Sequence, residues 1–373
     1  MSFGALQLND SLQALRISGG TVASFGEDRA WEAVSAARDA HNRIVADLLS
    51  TFVSVTTQRQ ERVGLADSTE MEELNEYGRT EAQKIGPGPL VGLPLRRYGH
   101  GLSWTRDYLR RTTASEFAAQ VTNIFAADLR RIQRQIKRAI YFSTNYTWID
   151  ILIDKASIPV KALANNDGMV PPVGPNGEVF AGTHNHYLGT GSFAVGDLDT
   201  LIDHIAEHAY GGEMFLAINK AQETTIRGFT GFTAYVDVRA VQASTTSYAD
   251  SKALDVISIN NRPIGIYRGA EIWVKPWAVA NYVVGWVNDP QQKKALGMRI
   301  MGDGPEGIGG GSGSLIVGGN GTGPGDLELV FEHDDYPLRC REYVREFDVA
   351  PVNRVLMAVL YISNATYANP TIA

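Results

Sequence analysis

Four histidines are the residues in this sequence whose types and spacing could do chemistry. His184 and His186 form an H-x-H pair, which in extended backbone turns both imidazoles to one side. His204 and His208 stand four apart, the spacing that lets two histidines on one helix face share a metal. Together they would offer a four-histidine site, and a histidine-metal-dependent hydrolase is one reading of the chain. The pattern lacks the Glu of H-E-x-x-H, and spacing marks no carboxylate as a further ligand. His208 also stands near the end of its expected helix, where a cation is favourable in any case. The histidines therefore read as structural polar residues. The sequence assigns no catalytic residue, no metal and no cofactor, and the chain reads as a non-enzyme.

Other reactive types agree. Residues 302–325 hold twelve glycines but no G-x-x-x-x-G-K-[ST], and they are not set between a strand and a helix. They read as a surface loop and not as a phosphate cradle. Cys340 is the only cysteine, which excludes an intrachain disulfide and a cysteine zinc site, and no G-x-S-x-G elbow accompanies it.

Helices and short strands mix without strict alternation, which is an α+β pattern. Residues 1–26 show no period and read as an extended arm. From Trp31 to Val53, apolar residues at three- and four-residue steps (Val34, Ala37, Ile44, Val45, Leu48, Phe52) predict an amphipathic helix with Asp28 as its N-cap. Thr113 and Glu116 fit a capping box. Phe117, Val121, Ile124, Ile132, Ile136 and Ile140 then share one face, so residues 114–142 read as a helix about 43 Å long. Arg130, Arg131, Arg134, Lys137 and Arg138 crowd its second half, read first as a solvated basic face and otherwise as a contact with nucleic acid or with acids on a neighbour. Residues 150–182 are loop-rich. A short helix follows at 197–210 with Asp197 as cap, then strands near 214–218, 256–259, 264–267, 271–275, 282–287, 327–333 and 348–362.

Between these helices lies an unusual stretch. Residues 70–84 are acidic, 86–89 read Gly-Pro-Gly-Pro, and a return limb carries Val91, Leu93 and Leu95 on one side before running through Arg96, Arg97, Trp104 and Arg106. This reads as a two-stranded ribbon, its acidic limb paired in charge with the arginines of the other. An isolated ribbon is marginal in water, so support from a neighbouring copy of the chain is expected. Lys84, Pro87, Pro89, Arg96, Arg97, Trp104 and Arg106 are the candidate contacts between subunits.

Composition bounds the partners. The chain has 373 residues, 44% of them hydrophobic, and a net charge of −7, which is no basic nucleic-acid binder on overall balance. Its first 20 residues do not read as a signal peptide, and its apolar runs are too short to span a bilayer.

The order of parts resembles the major capsid proteins of tailed double-stranded DNA bacteriophages, which have the Hong Kong 97-type fold. The residues that carry the resemblance are Glu76-Tyr77-Gly78-Arg79, Leu93-Pro94-Leu95-Arg96-Arg97-Tyr98, Leu102 to Leu109, Ala127-Asp128 within a long helix, Arg341 to Val349, and Val352-Asn353-Arg354. The resemblance implies an N-terminal arm with its helix (1–67), an extended β-hairpin loop (68–112), and a peripheral domain with a long spine helix (113–182). An axial domain (183–326) and return strands (327–373) complete it. It implies self-assembly through pentameric and hexameric capsomers into an icosahedral virion capsid, made in the host bacterial cytoplasm. The implied partners are a separate scaffolding protein, a portal, a decoration protein and packaged DNA in non-specific proximity, with no membrane. An encapsulin-type nanocompartment shell shares the fold and is the alternative.

Overall fold

In this computed structural model, residues 10–51, 53–62, 73–74, 76, 78, 88–235, 261–301, 325–334 and 337–372 are described. Most of the acidic limb, the glycine-rich stretch but for Gly325, and the strand expected at 256–259 lie outside them.

Residues 10–26, read from sequence as part of an extended arm, carry two helices instead. α1 (Asp10–Ile17) and α2 (Val22–Phe25) precede α3 (Glu27–Leu49). Leu12 and Leu15 of α1 are buried; a helix of eight residues has too few turns for that pair to stand out as a period. α3 is entered through Gly26 at φ 99°, a conformation suited to glycine. Asp28 therefore lies in the first helical turn, where its charge still favours the N-terminus, and not at the cap.

Strands β1 (Val53–Thr56), β2 (Gln60–Arg62), β3 (Leu90–Gly92) and β4 (Arg97–Thr105) follow, then α4 (Arg106–Arg111) and α5 (Ala114–Tyr141). The return limb is thus built into the chain's own fold. β2 and β3 pair antiparallel, and β4 pairs along its whole length with β15 (Leu338–Pro351). The strand stops where Thr105 caps α4, its Oγ1 accepting the Tyr108 N–H at 3.1 Å. α5 carries the expected capping box: Glu116 N–H donates to Thr113 Oγ1 and Thr113 N–H donates to Glu116 Oε2, both at 3.2 Å.

The rest of the chain supplies β5 (Tyr146–Ile149), β6 (Ser157–Val160), β7 (Tyr187–Gly189), α6 (Val195–Ala206), β8 (Glu213–Ile218), α7 (Glu223–Arg227), β9 (Thr233–Ala234), β10 (Arg262–Tyr267), β11 (Ala270–Val274), β12 (Tyr282–Asn288), β13 (Leu296–Ile300), β14 (Glu328–His333) and β16 (Met357–Tyr361). Asp197 falls inside α6 but still caps it, accepting the Ala194 N–H at 2.7 Å.

Two sheets organise these strands. One runs β1-β13-β15-β14, with β4 added on β15; the other runs β7-β16-β12-β8-β11-β10-β9. β12 is buried from Tyr282 to Val287, a continuous apolar run that suits a central strand covered on both faces. The strand expected at 348–362 is two strands in different sheets, β15 and β16, joined by a turn. β13 lies in the sheet of β15, although it falls between residues 183 and 326.

α5 spans two cores. Phe117, Val121 and Ile124 pack with Leu12, Leu15, Val34, Trp104 and Tyr343. Ile132, Ile136 and Ile140 pack with β12, β13, β16 and α6. One apolar stripe thus joins the N-terminal helices to the seven-stranded sheet.

Candidate functional site

The candidate contact residues divide by where their side chains go. Trp104 is buried; its ring meets Trp31 and Phe117 edge-on or tilted, and its Nε1–H donates to Gln120 Oε1 at 2.7 Å. Arg96 donates to Asp348 Oδ2 at 2.6 Å and lies 4.0 Å over the Trp148 ring. Burial pushes the Asp348 carboxyl up, against the pull of Arg96. Arg97 is exposed, and its Nε lies 2.7 Å from Glu346, its register partner across β15. Among the described residues, Arg96 and Arg97 thus find their carboxylates on β15, while most of the acidic limb expected to pair with them lies outside the described residues. Arg106 is exposed and donates to Asp334 O at 3.1 Å. Pro89 is half-buried. Lys84 and Pro87 lie outside the described residues.

The hairpin of β5 and β6 presents a feature that sequence reading treated only as loop. Its tip exposes Ile149, Ile151, Leu152 and Ile153, at 53%, 66%, 38% and 49%. The tip is held from below by Asp150, whose side chain is fully buried. Asp150 O accepts the Lys155 N–H at 2.8 Å, Arg299 donates to Asp150 Oδ2 at 2.9 Å, and Arg59 Nε stands 3.3 Å from the same oxygen. A second Arg299 N–H donates to Leu93 O at 3.0 Å, tying the tip to the return limb. The signal was in the sequence: an apolar run, broken by one Asp, inside a stretch otherwise rich in turn residues.

A second buried arginine holds the frame behind β4. Arg345 of β15 donates to Asp128 of α5 at 3.0 and 3.1 Å and to Asn42 of α3 at 2.8 Å. His41 Nε2 lies 2.8 Å from Asp128 Oδ2. Burial alone would raise the Asp128 carboxyl, but Arg345 and His41 outweigh it and hold it below the usual carboxylate range.

The four histidines do not come together as the quartet that their spacing alone would offer. His184, His186 and His208 converge with Glu207, all four ligand atoms lying within 4.8 Å of one another. His204 stacks on His184 at 5.8 Å, but its Nδ1 is engaged with Thr200 O at 3.0 Å. α6 ends at Ala206, so His208 leaves the helical face that four-residue spacing assumes, and a Glu207 oxygen takes the fourth place.

No family model and no curated protein matches the chain. Among solved structures, a chain of Mycobacterium phage Patience superposes with a TM-score of 0.63 at 21% identity, covering 91% of this chain and 90% of that one. A capsid chain of a native GTA particle (TM-score 0.47, 11% identity, 84% and 89% covered) is more distant. So is the holo-SrpI encapsulin of Synechococcus elongatus PCC 7942 (TM-score 0.41, 12% identity, 87% and 89% covered). Over nine-tenths of its length, the chain has the α+β, Hong Kong 97-type fold that its sequence pattern resembles.

Proposed function

We propose that this chain is the major capsid protein of a tailed double-stranded DNA bacteriophage, a structural and non-catalytic subunit that assembles with copies of itself. The observation that carries this is the apolar hairpin tip, pinned outward by a buried ion pair on a fold shared with a phage chain. Four exposed large aliphatic side chains gathered on one anchored tip mark a contact surface. A second copy is the occupant that suits a shell, where head-to-tail contacts between unlike surfaces close on themselves. Lys84, Pro87, Pro89, Arg97 and Arg106 are further contacts in this reading, while Arg96 and Trp104 brace the strand behind them.

The resemblance also supplies the finer partners: pentameric and hexameric capsomers, a separate scaffolding protein, a portal, a decoration protein, and DNA held close without specific binding. Arg130, Arg134 and Arg138 are exposed along α5 and offer cations toward such DNA, while a net charge of −7 limits tight sticking. Negative-stain imaging and light scattering of the purified chain test the reading. Closed shells or five- and six-membered rings are expected; a strict monomer at every concentration would overturn it.

A further inference from the structure

Protons cannot satisfy the three converging imidazoles. His186 is fully buried, and its Nδ1 lies 2.9 Å from Met357 O, which can only accept. The ring proton is therefore on Nδ1, and Nε2 presents a lone pair inward. That Nε2 is 2.9 Å from His184 Nε2, which is also 2.9 Å from His208 Nε2. A neutral imidazole nitrogen either donates or accepts. If His184 Nε2 donates, its one proton serves only one of the two contacts. If it accepts from His208, it sets lone pair against lone pair at His186. The fourth member adds to the mismatch. Glu207 Oε1 is buried, makes no hydrogen bond among the described residues, and lies 3.4 Å from His184 Nε2 and 3.6 Å from His208 Nε2.

A cation at the centre resolves all of these contacts at once. We propose that His184, His186, His208 and Glu207 form a structural site for one zinc-class divalent cation. Three imidazole nitrogens and one carboxylate oxygen are a zinc donor set, whereas calcium and magnesium call for oxygen ligands. Four ligands at about 2.0–2.1 Å in a tetrahedron stand roughly 3.3 Å apart. Four of the six ligand separations, 2.9, 2.9, 3.4 and 3.6 Å, bracket that edge, and all six lie within 4.8 Å. The next shell is in place as well: Met357 O orients His186, and the Phe180 ring covers the site at 4.2 Å from His208 and 5.1 Å from His184. All four positions are filled by protein, which leaves no open place for substrate. The ion would tie the segment before β7 to the end of α6, and through Met357 to β16.

The test uses the full-length, untagged protein. After incubation with zinc chloride and dialysis, about one zinc per chain is expected by elemental analysis. The melting temperature should be higher in zinc chloride than in EDTA. Cobalt chloride should give the visible absorption of a tetrahedral ion. Glu207→Gln, a change at a half-exposed side chain, should weaken zinc binding by at least about 10–100-fold, the loss seen for partners one shell further out. His184→Ala combined with His208→Ala should abolish metal, colour and melting shift, while His204→Ala keeps all three. The site is overturned if the wild-type chain holds no zinc and shows no shift. It is equally overturned if the Glu207 and His184/His208 variants bind like wild type, or if His204→Ala loses the metal.

Discussion

Single buried charges hold this molecule's frame, and Asp128 shows how. It receives Arg345 and faces His41, so α5, β15 and α3 meet on one carboxylate. Asp128→Asn would leave Arg345, 1% exposed, without its counter-charge. Breaking a buried pair from one side costs about 3–5 kcal/mol, and urea melts at pH 7 should show a loss of that size. Because the folded carboxyl sits below its unfolded value, its contribution is present above about pH 4 and disappears as pH falls through the folded value. The gap between wild type and variant should therefore close in acid; equal stability at pH 7 would remove Asp128 from the frame. Little of this was visible beforehand. Ala127-Asp128 entered only as part of a family pattern, since partners as distant in sequence as His41 and Arg345 leave no periodic trace. The histidines show the same limit. Their types and spacings were visible, but Glu207 was not, because its role depends on the residue at which α6 stops.

At the level of elements, local signals served well and non-local ones did not. α5 was readable to within one residue because its capping box and apolar stripe are written in neighbouring positions. Thr113→Ala removes the side-chain acceptor for the Glu116 N–H and the hydroxyl's own hydrogen bond to Glu116 Oε2, keeping only the backbone N–H of position 113 as a donor, and should cost about 1 kcal/mol by thermal or urea melts. No change there would mean that packing of Phe117 and Val121 alone sets the start of the helix. The return limb shows the contrary case. Alternation of Val91, Leu93 and Leu95 announces a buried face, but alternation does not say whose core buries it. Leu93 packs against Val160, Ala350 and Val352 of the same chain. The reading of an isolated ribbon had no means of seeing those partners.

For the whole molecule, what matters is which surfaces its own core leaves unused. The described part of the chain covers Leu93, Leu95 and Trp104 completely or nearly so, yet leaves Ile149, Ile151, Leu152 and Ile153 in solvent on a hairpin anchored by Asp150 and Arg299. That contrast separates folding from the proposed assembly. Replacing Ile151 and Ile153 together by Asp changes side chains 66% and 49% exposed, so the isolated subunit should melt within about 2 °C of wild type. Assembly should respond far more strongly. A contact repeated over every subunit of a shell multiplies a small loss per copy, and two carboxylates buried without partners at each contact add a desolvation cost. The double variant should therefore remain a folded, soluble subunit by circular dichroism and light scattering, and form no closed shells under conditions where wild type does. Shells of normal size and yield from that variant would show that the tip faces solvent in the assembled state, and would move the interface to the surface around Arg97 and Arg106.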